Sequence, residues 1–166
     1  MPSSTDVLRA GALNSHRSFN DTPTNSLSEG AQLFVLSARH WAFSLSDKHC
    51  AGCLLRPIYE SYGLPTALPI MNELMCFVSL ACRRQLAISH PTCPVVTPDE
   101  MELLDVMRAL QRNDPHSAYA AATGIFEGSL ATTFFRIGRA YIAQLTENGL
   151  SVTGVRYLSE VATSGG

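Results

Sequence analysis

Apolar residues recur with helical spacing along most of the chain. From Ser28-Glu29 to about Leu45, residues Phe34, Ala38, Trp41 and Leu45 fall at i, i+4, i+7 and i+11, and Leu33, Leu36, His40 and Phe43 form a second stripe beside them. A helix apolar over that much of its circumference is expected to be central, buried on more than one side. A second long helix is expected from Thr66 to about Leu86, with Pro69 in its first turn. Its face is Met71, Met75, Val78 and Cys82, widened by Leu74 and Ala81. Glu73 near its start and Arg83-Arg84 near its end suit the helix dipole. Between the two, Pro57 predicts a short helix over 58–62, closed by Gly63.

The clearest start signal is Thr97-Pro98-Asp99-Glu100: an N-cap, a proline at the first helical position, and a glutamate three residues after the cap. Leu103, Val106, Met107 and Leu110 follow as an i, i+3, i+4, i+7 stripe. Asn113 stops that helix and Asp114-Pro115 starts another, with the small residues Ala118, Ala121 and Ala122 and then Ile125 facing inward. Gly128 breaks the run. A last long helix is expected from Ser129 to about Glu147 through Leu130, Phe134, Ile137, Tyr141 and Leu145, ended by Asn148-Gly149. The segment 152–158 fits one short strand. Residues 1–27, rich in Ser, Thr, Asn and Pro, read as a disordered or loosely docked arm, and 159–166 as a flexible tail. The fold class is all-α: a single domain over 28–158, a bundle of five or six helices.

Composition sharpens this picture in one respect. At 166 residues the chain suits one core, and its hydrophobic fraction of 46% is ordinary, but only 16% is charged, against a usual ~25%. A shortage of charge suggests that part of the surface is covered, most simply by a protein partner or by self-association. Twelve basic residues against fourteen acidic ones, net −2, argue against a nucleic-acid binder, which needs a basic surplus. Residues 97–127 do make a helix, a turn and a helix, but the second helix offers few side chains to read bases or hold phosphates. No apolar run reaches the ~18 residues of a membrane span, and no basic flank precedes an apolar stretch as in a secretory signal. The cytoplasm is the expected location.

Five cysteines, an odd number, favour free thiols or metal ligands over a disulfide framework. Cys50-x-x-Cys53 and His90-x-x-Cys93 have the spacing of zinc ligand pairs, because two intervening residues let a tight turn aim both side chains at one ion. Zinc held by Cys50, Cys53, His90 and Cys93, with His49 as a substitute ligand, is therefore one candidate, as a stabilising or a metal- or redox-sensing site. A redox role for Cys50-Cys53 requires a thiolate, usually at a helix N-terminus within a βαβ unit, and no βαβ unit is expected. Cys82 lies on a core stripe and Cys76 on a half-exposed flank. A second candidate is a small-anion pocket of Arg39, His40 and Arg83, since guanidinium groups grip carboxylate or phosphate and histidine adds a titrating donor. Glycine-rich phosphate loops, nucleophile elbows and metalloprotease motifs are absent, and the carboxylates at 99–105 read as helix-start electrostatics. Nothing in the sequence requires an enzyme. The leading expectation is a helical module that acts through protein contacts.

Overall fold

A computed structural model describes residues 21–154 together with the two-residue strand Leu8–Arg9. Among them are six helices: α1 (Glu29–Asp47), α2 (Ala51–Ser61), α3 (Ala67–Ala81), α4 (Pro98–Gln111), α5 (Pro115–Ala122) and α6 (Gly128–Glu147). The strand Leu8–Arg9, β1, pairs in parallel with Leu86–Ala87, β2. The architecture is the all-α bundle that the apolar spacing requires. No described helix is long and apolar enough to cross a membrane.

The core forms where the predicted stripes meet. Leu33, Phe34, Ala38 and Trp41 of α1 are buried with Met71, Leu74, Met75 and Val78 of α3, Leu103, Val106, Met107 and Leu110 of α4, and Phe134, Ile137, Tyr141 and Leu145 of α6. Leu130 departs from the expected stripe and is 37% exposed. Helices α4 and α6 approach closely through Gly138, where an added methyl would lie 2.8 Å from Leu110 Cδ1 and 3.3 Å from Met107 Sδ. A chain of buried hydroxyls ties α1, α2 and α6 together. Ser37 donates to the Leu33 carbonyl at 2.6 Å and lies 2.9 Å from the Tyr59 hydroxyl, which lies 2.8 Å from that of Tyr141. Burial pushes Tyr59 up to about 12 and Tyr141 well above the ordinary phenol value, so both stay neutral and each hydroxyl keeps a partner.

Four boundaries differ from the sequence reading, each for a local reason. Helix α2 begins at Ala51, not near Ile58, so Pro57 sits inside the helix, where it removes one intrahelical bond. Helix α3 ends at Ala81 because Cys82 turns to extended backbone and bridges to Phe126, with the Arg83 N–H donating to the Ile125 carbonyl at 3.0 Å. The chain then forms β2 where helix was expected to continue. Gly128, read as a break, is the first residue of α6. Residues 152–154 form bends instead of a strand, with Val152 fully buried.

The end of the expected arm is docked. Leu27 is fully buried, the Thr24 N–H donates to the Pro94 carbonyl at 2.8 Å, and the Val96 N–H donates to the Thr22 carbonyl at 2.9 Å. The rest of the arm, apart from Leu8–Arg9, lies outside the described residues. So do 155–158 of the expected strand and the tail 159–166.

Candidate functional site

Two helix starts carry the polar residues that the sequence singles out, and they are built in different ways. At α4, Thr97 Oγ1 accepts the Glu100 N–H at 3.1 Å while the Glu100 carboxylate accepts the Thr97 N–H at 2.9 Å, closing the predicted capping box. The same carboxylate receives Arg39 from α1: Nε donates to Oε1 at 2.8 Å and Nη2 to Oε2 at 2.8 Å. Arg39 and Glu100 are 1% and 2% exposed, so each charge depends wholly on the other and on the backbone around them. That backbone is the Pro-rich segment between β2 and α4. The Cys93 and Val95 carbonyls accept from Arg39 Nη1 and Nη2, both at 2.6 Å, and the Ser89 N–H donates to Glu100 at 2.9 Å.

Arg39, a candidate for holding a small anion, therefore already holds one, an internal carboxylate. Arg83 is occupied elsewhere, donating to the Thr123 carbonyl at 3.2 Å. Arg84 pairs with Asp99 and Glu102, both at 2.7 Å. His40 is half-buried and its Nδ1 has no hydrogen-bond partner. Burial, and secondarily the charge of His90, hold it below the ordinary histidine value.

At α2 the cap is a sulfur. Cys50 is the N-cap residue, in extended backbone, and its Sγ accepts the Cys53 N–H at 3.3 Å. The Cys-x-x-Cys spacing is thus the spacing from an N-cap to the third helical residue, the same interval that Thr97 and Glu100 span at α4. Both thiols are exposed. A hydrogen bond from the Cys53 thiol, the Cys53 and Gly52 N–H groups and the nearby Arg56 charge hold Cys50 below the ordinary thiol value. The same thiol–thiol hydrogen bond, together with the charge of Cys50, pushes Cys53 up. The two titrate as a coupled pair.

No family model, curated protein or solved structure matches the chain.

The Pro-rich segment and the cysteine turn meet through an aromatic ring. Phe43 of α1 has His49 stacked on it, ring centroids 6.4 Å apart at 21°, and His90 edge-on at 5.1 Å and 86°. Phe43 thus lies between His49, beside the cysteine turn, and His90 of the Pro-rich segment. Cys93 Sγ donates locally to the Val95 carbonyl at 3.5 Å, and His90 Nδ1 lies 2.8 Å from Thr92 Oγ1. Among the described residues, no group of three or more His, Cys, Asp or Glu side chains is arranged to hold a metal ion. Cys50, Cys53, His90 and Cys93 accordingly do not form one coordination sphere. Cys82 is the half-buried C-cap residue of α3, and burial pushes its thiol up to about 12.

One residue at the cysteine turn was not visible in the sequence. Asn72, half-buried on α3, lies near Gly52 in the first turn of α2, and its buried Oδ1 has no partner. An unsatisfied buried carbonyl costs about 1–3 kcal/mol. Nothing in sequence spacing flags such a residue. Its oddity appears only once the fold denies it a donor.

Proposed function

We propose that the protein is a thiol–disulfide redox protein whose reactive pair is Cys50 and Cys53. The observation that carries this reading is the placement of the Cys50 sulfur as the N-cap of α2, where it accepts the Cys53 N–H. A helix N-terminus favours negative charge, and the thiolate is the nucleophile in disulfide exchange. Exposure of both sulfurs gives a partner access, and the raised Cys53 supplies a resolving thiol that stays protonated until it is needed.

The chemistry needs a disulfide co-reactant, R–S–S–R. The Cys50 thiolate attacks one sulfur, forming a mixed disulfide and releasing one thiolate. Cys53 then loses its proton to solvent and attacks the Cys50 sulfur, closing the Cys50–Cys53 disulfide and releasing the second thiolate. Two electrons pass from the protein, and the co-reactant leaves as two thiols. Run backwards, the same steps reduce the protein.

The test is a glutathione redox titration followed by peptide mapping. The wild-type chain is expected to form one internal disulfide, Cys50–Cys53. Cys53→Ser should accumulate glutathione on Cys50, and Cys50→Ser should form neither product. Glutathione spread evenly over the exposed cysteines of Cys53→Ser would overturn the proposal.

A further inference from the structure

Three large apolar side chains are exposed among the described residues, and two of them share one place in the fold. Leu80, in the last turn of α3, is 74% exposed, and Leu130, in the first turn of α6, is 37% exposed. Helices α3 and α6 pack antiparallel. The Thr66 hydroxyl, at the N-cap of α3, donates to Gln144 near the end of α6 at 2.6 Å. Glu73 lies 3.7 Å from Arg136 halfway along both helices, and Cys82, just past α3, bridges to Phe126, just before α6. That register sets Leu80 level with the first turn of α6, where Leu130 stands. Phe77, half-buried against Phe126 with ring centroids 5.8 Å apart, extends the apolar surface by one turn of α3. Single leucines scattered on a surface need no explanation, but exposed ones at one level of two packed helices mark a contact face.

We infer that this face of α3 and α6 is where two copies of the chain associate, α3 of each lying over α6 of the other. The charges on the face argue for a second copy as its occupant. Glu73 and Arg136 are both more than half exposed. A surface pair of that kind contributes little to the fold of its own chain, so exchanging it between copies costs little. A partner carrying one sign of charge repels one of the two residues, whereas a second copy brings both signs. Glu73 and Arg136 stand at one level of the helix pair, and Leu80 and Leu130 at another. A two-fold axis running parallel to the helices therefore sets Glu73 against Arg136 of the other copy, and Leu80 against Leu130 of the other copy. Such a contact uses the same patch on both copies and closes at two. It also accounts for the low charge of the chain, 16% against a usual ~25%. The association needs no cysteine and is independent of the dithiol reading above.

The test is size-exclusion chromatography with light scattering on the full chain across the micromolar range. A reductant is present throughout, so that no disulfide between exposed thiols supplies the dimer. The wild-type chain should pass from one copy to two as concentration rises. Leu80→Lys should raise the midpoint concentration of that transition by about tenfold or more, as an unpaired charge at the centre of an apolar contact requires. Its thermal unfolding at low concentration should match the parent, because the side chain is exposed in the single copy. Glu73→Lys and Arg136→Glu should each weaken association, since each then meets a like charge across the axis. An equimolar mixture of these two variants should associate more tightly than either alone, because opposite charges face each other again. A chain that stays single across the range overturns the second copy as occupant, and the proposal with it. Dimers that form equally well with Leu80→Lys, or a mixture no tighter than its components, show that the contact does not use this face and overturn the proposal as well.

Discussion

Helices α4 and α2 start in ways that are alike in geometry and opposite in purpose. Each places a side-chain acceptor at the N-cap and a backbone donor three residues later. At α4 the acceptor is a threonine hydroxyl, the third residue returns a carboxylate to close the box, and a buried arginine satisfies that carboxylate. Glu100 accepts four hydrogen bonds there, from Thr97, Ser89 and twice from Arg39. At α2 the acceptor is a sulfur that takes the Cys53 N–H, the third residue is a second sulfur, and both sulfurs are exposed. A closed set of partners makes the first start rigid and chemically silent. An incomplete, exposed set leaves the second free to react. Helix N-termini are not sites in themselves; what distinguishes these two is which atom occupies the cap and how much of its bonding capacity the fold has consumed.

The largest expected difference is in stability. Arg39→Met leaves the Glu100 carboxylate buried without its counter-charge and frees the Cys93 and Val95 carbonyls. It should cost about 3–5 kcal/mol in chemical denaturation, the loss typical of breaking a buried pair from one side. Replacing both partners, Arg39→Met with Glu100→Leu, should cost less than the sum of the single changes, because no charge is then stranded. Additive losses would mean that the two residues do not act as one unit.

The caps themselves should differ more modestly. Thr97→Ala is expected to cost about 1 kcal/mol, the usual loss for a removed N-cap. Cys50→Ser keeps an oxygen acceptor at the same position, so its stability should stay within about 0.5 kcal/mol of the parent while disulfide exchange is lost. The sign of the pH effect follows from the same geometry. Cys50 is held below its ordinary value of 9.0 in the fold, so between the folded value and 9.0 the unfolded chain carries more protons than the native one. Stability gained from this group is therefore present above pH 9.0 and lost as pH falls through the folded value, while Cys53, held above 9.0 by the same pairing, acts in the opposite sense and loses stability as pH rises from 9.0. Cys50→Ser should remove that dependence, and urea titrations of the two proteins across mildly alkaline pH would show it.

Much of the closed region was legible in the sequence, and less of the open one. The stripes of α1, α3, α4 and α6 mark their buried faces because helical spacing and core packing impose the same constraint. The capping box was legible because it lies within four residues. The burial of Arg39 was not, because charge ordinarily marks surface and its partner lies 61 residues away. For that reason its carboxylate read as helix-start electrostatics. At α2, Pro57 suggested a late helix start and hid the fact that Cys50 and Cys53 already have N-cap spacing. Proline at a seventh helical position is costly enough that sequence reasoning places it at a start, but packing of Leu55 and Tyr59, both fully buried, outweighs that cost here. Asn72 was invisible because its defining property is a missing partner, which only three-dimensional placement reveals.

The most direct test of the account is competitive labelling of all five thiols in the folded wild-type chain as pH is raised from mildly acidic to alkaline. Cys76, exposed along the side of α3 and away from any helix start, serves as the internal reference. Cys50 should be modified at lower pH than Cys76, Cys53 should follow at higher pH, and the packed Cys82 should come last. If Cys50 and Cys76 are labelled in parallel across the whole range, the start of α2 does not activate its sulfur and the proposed chemistry is wrong.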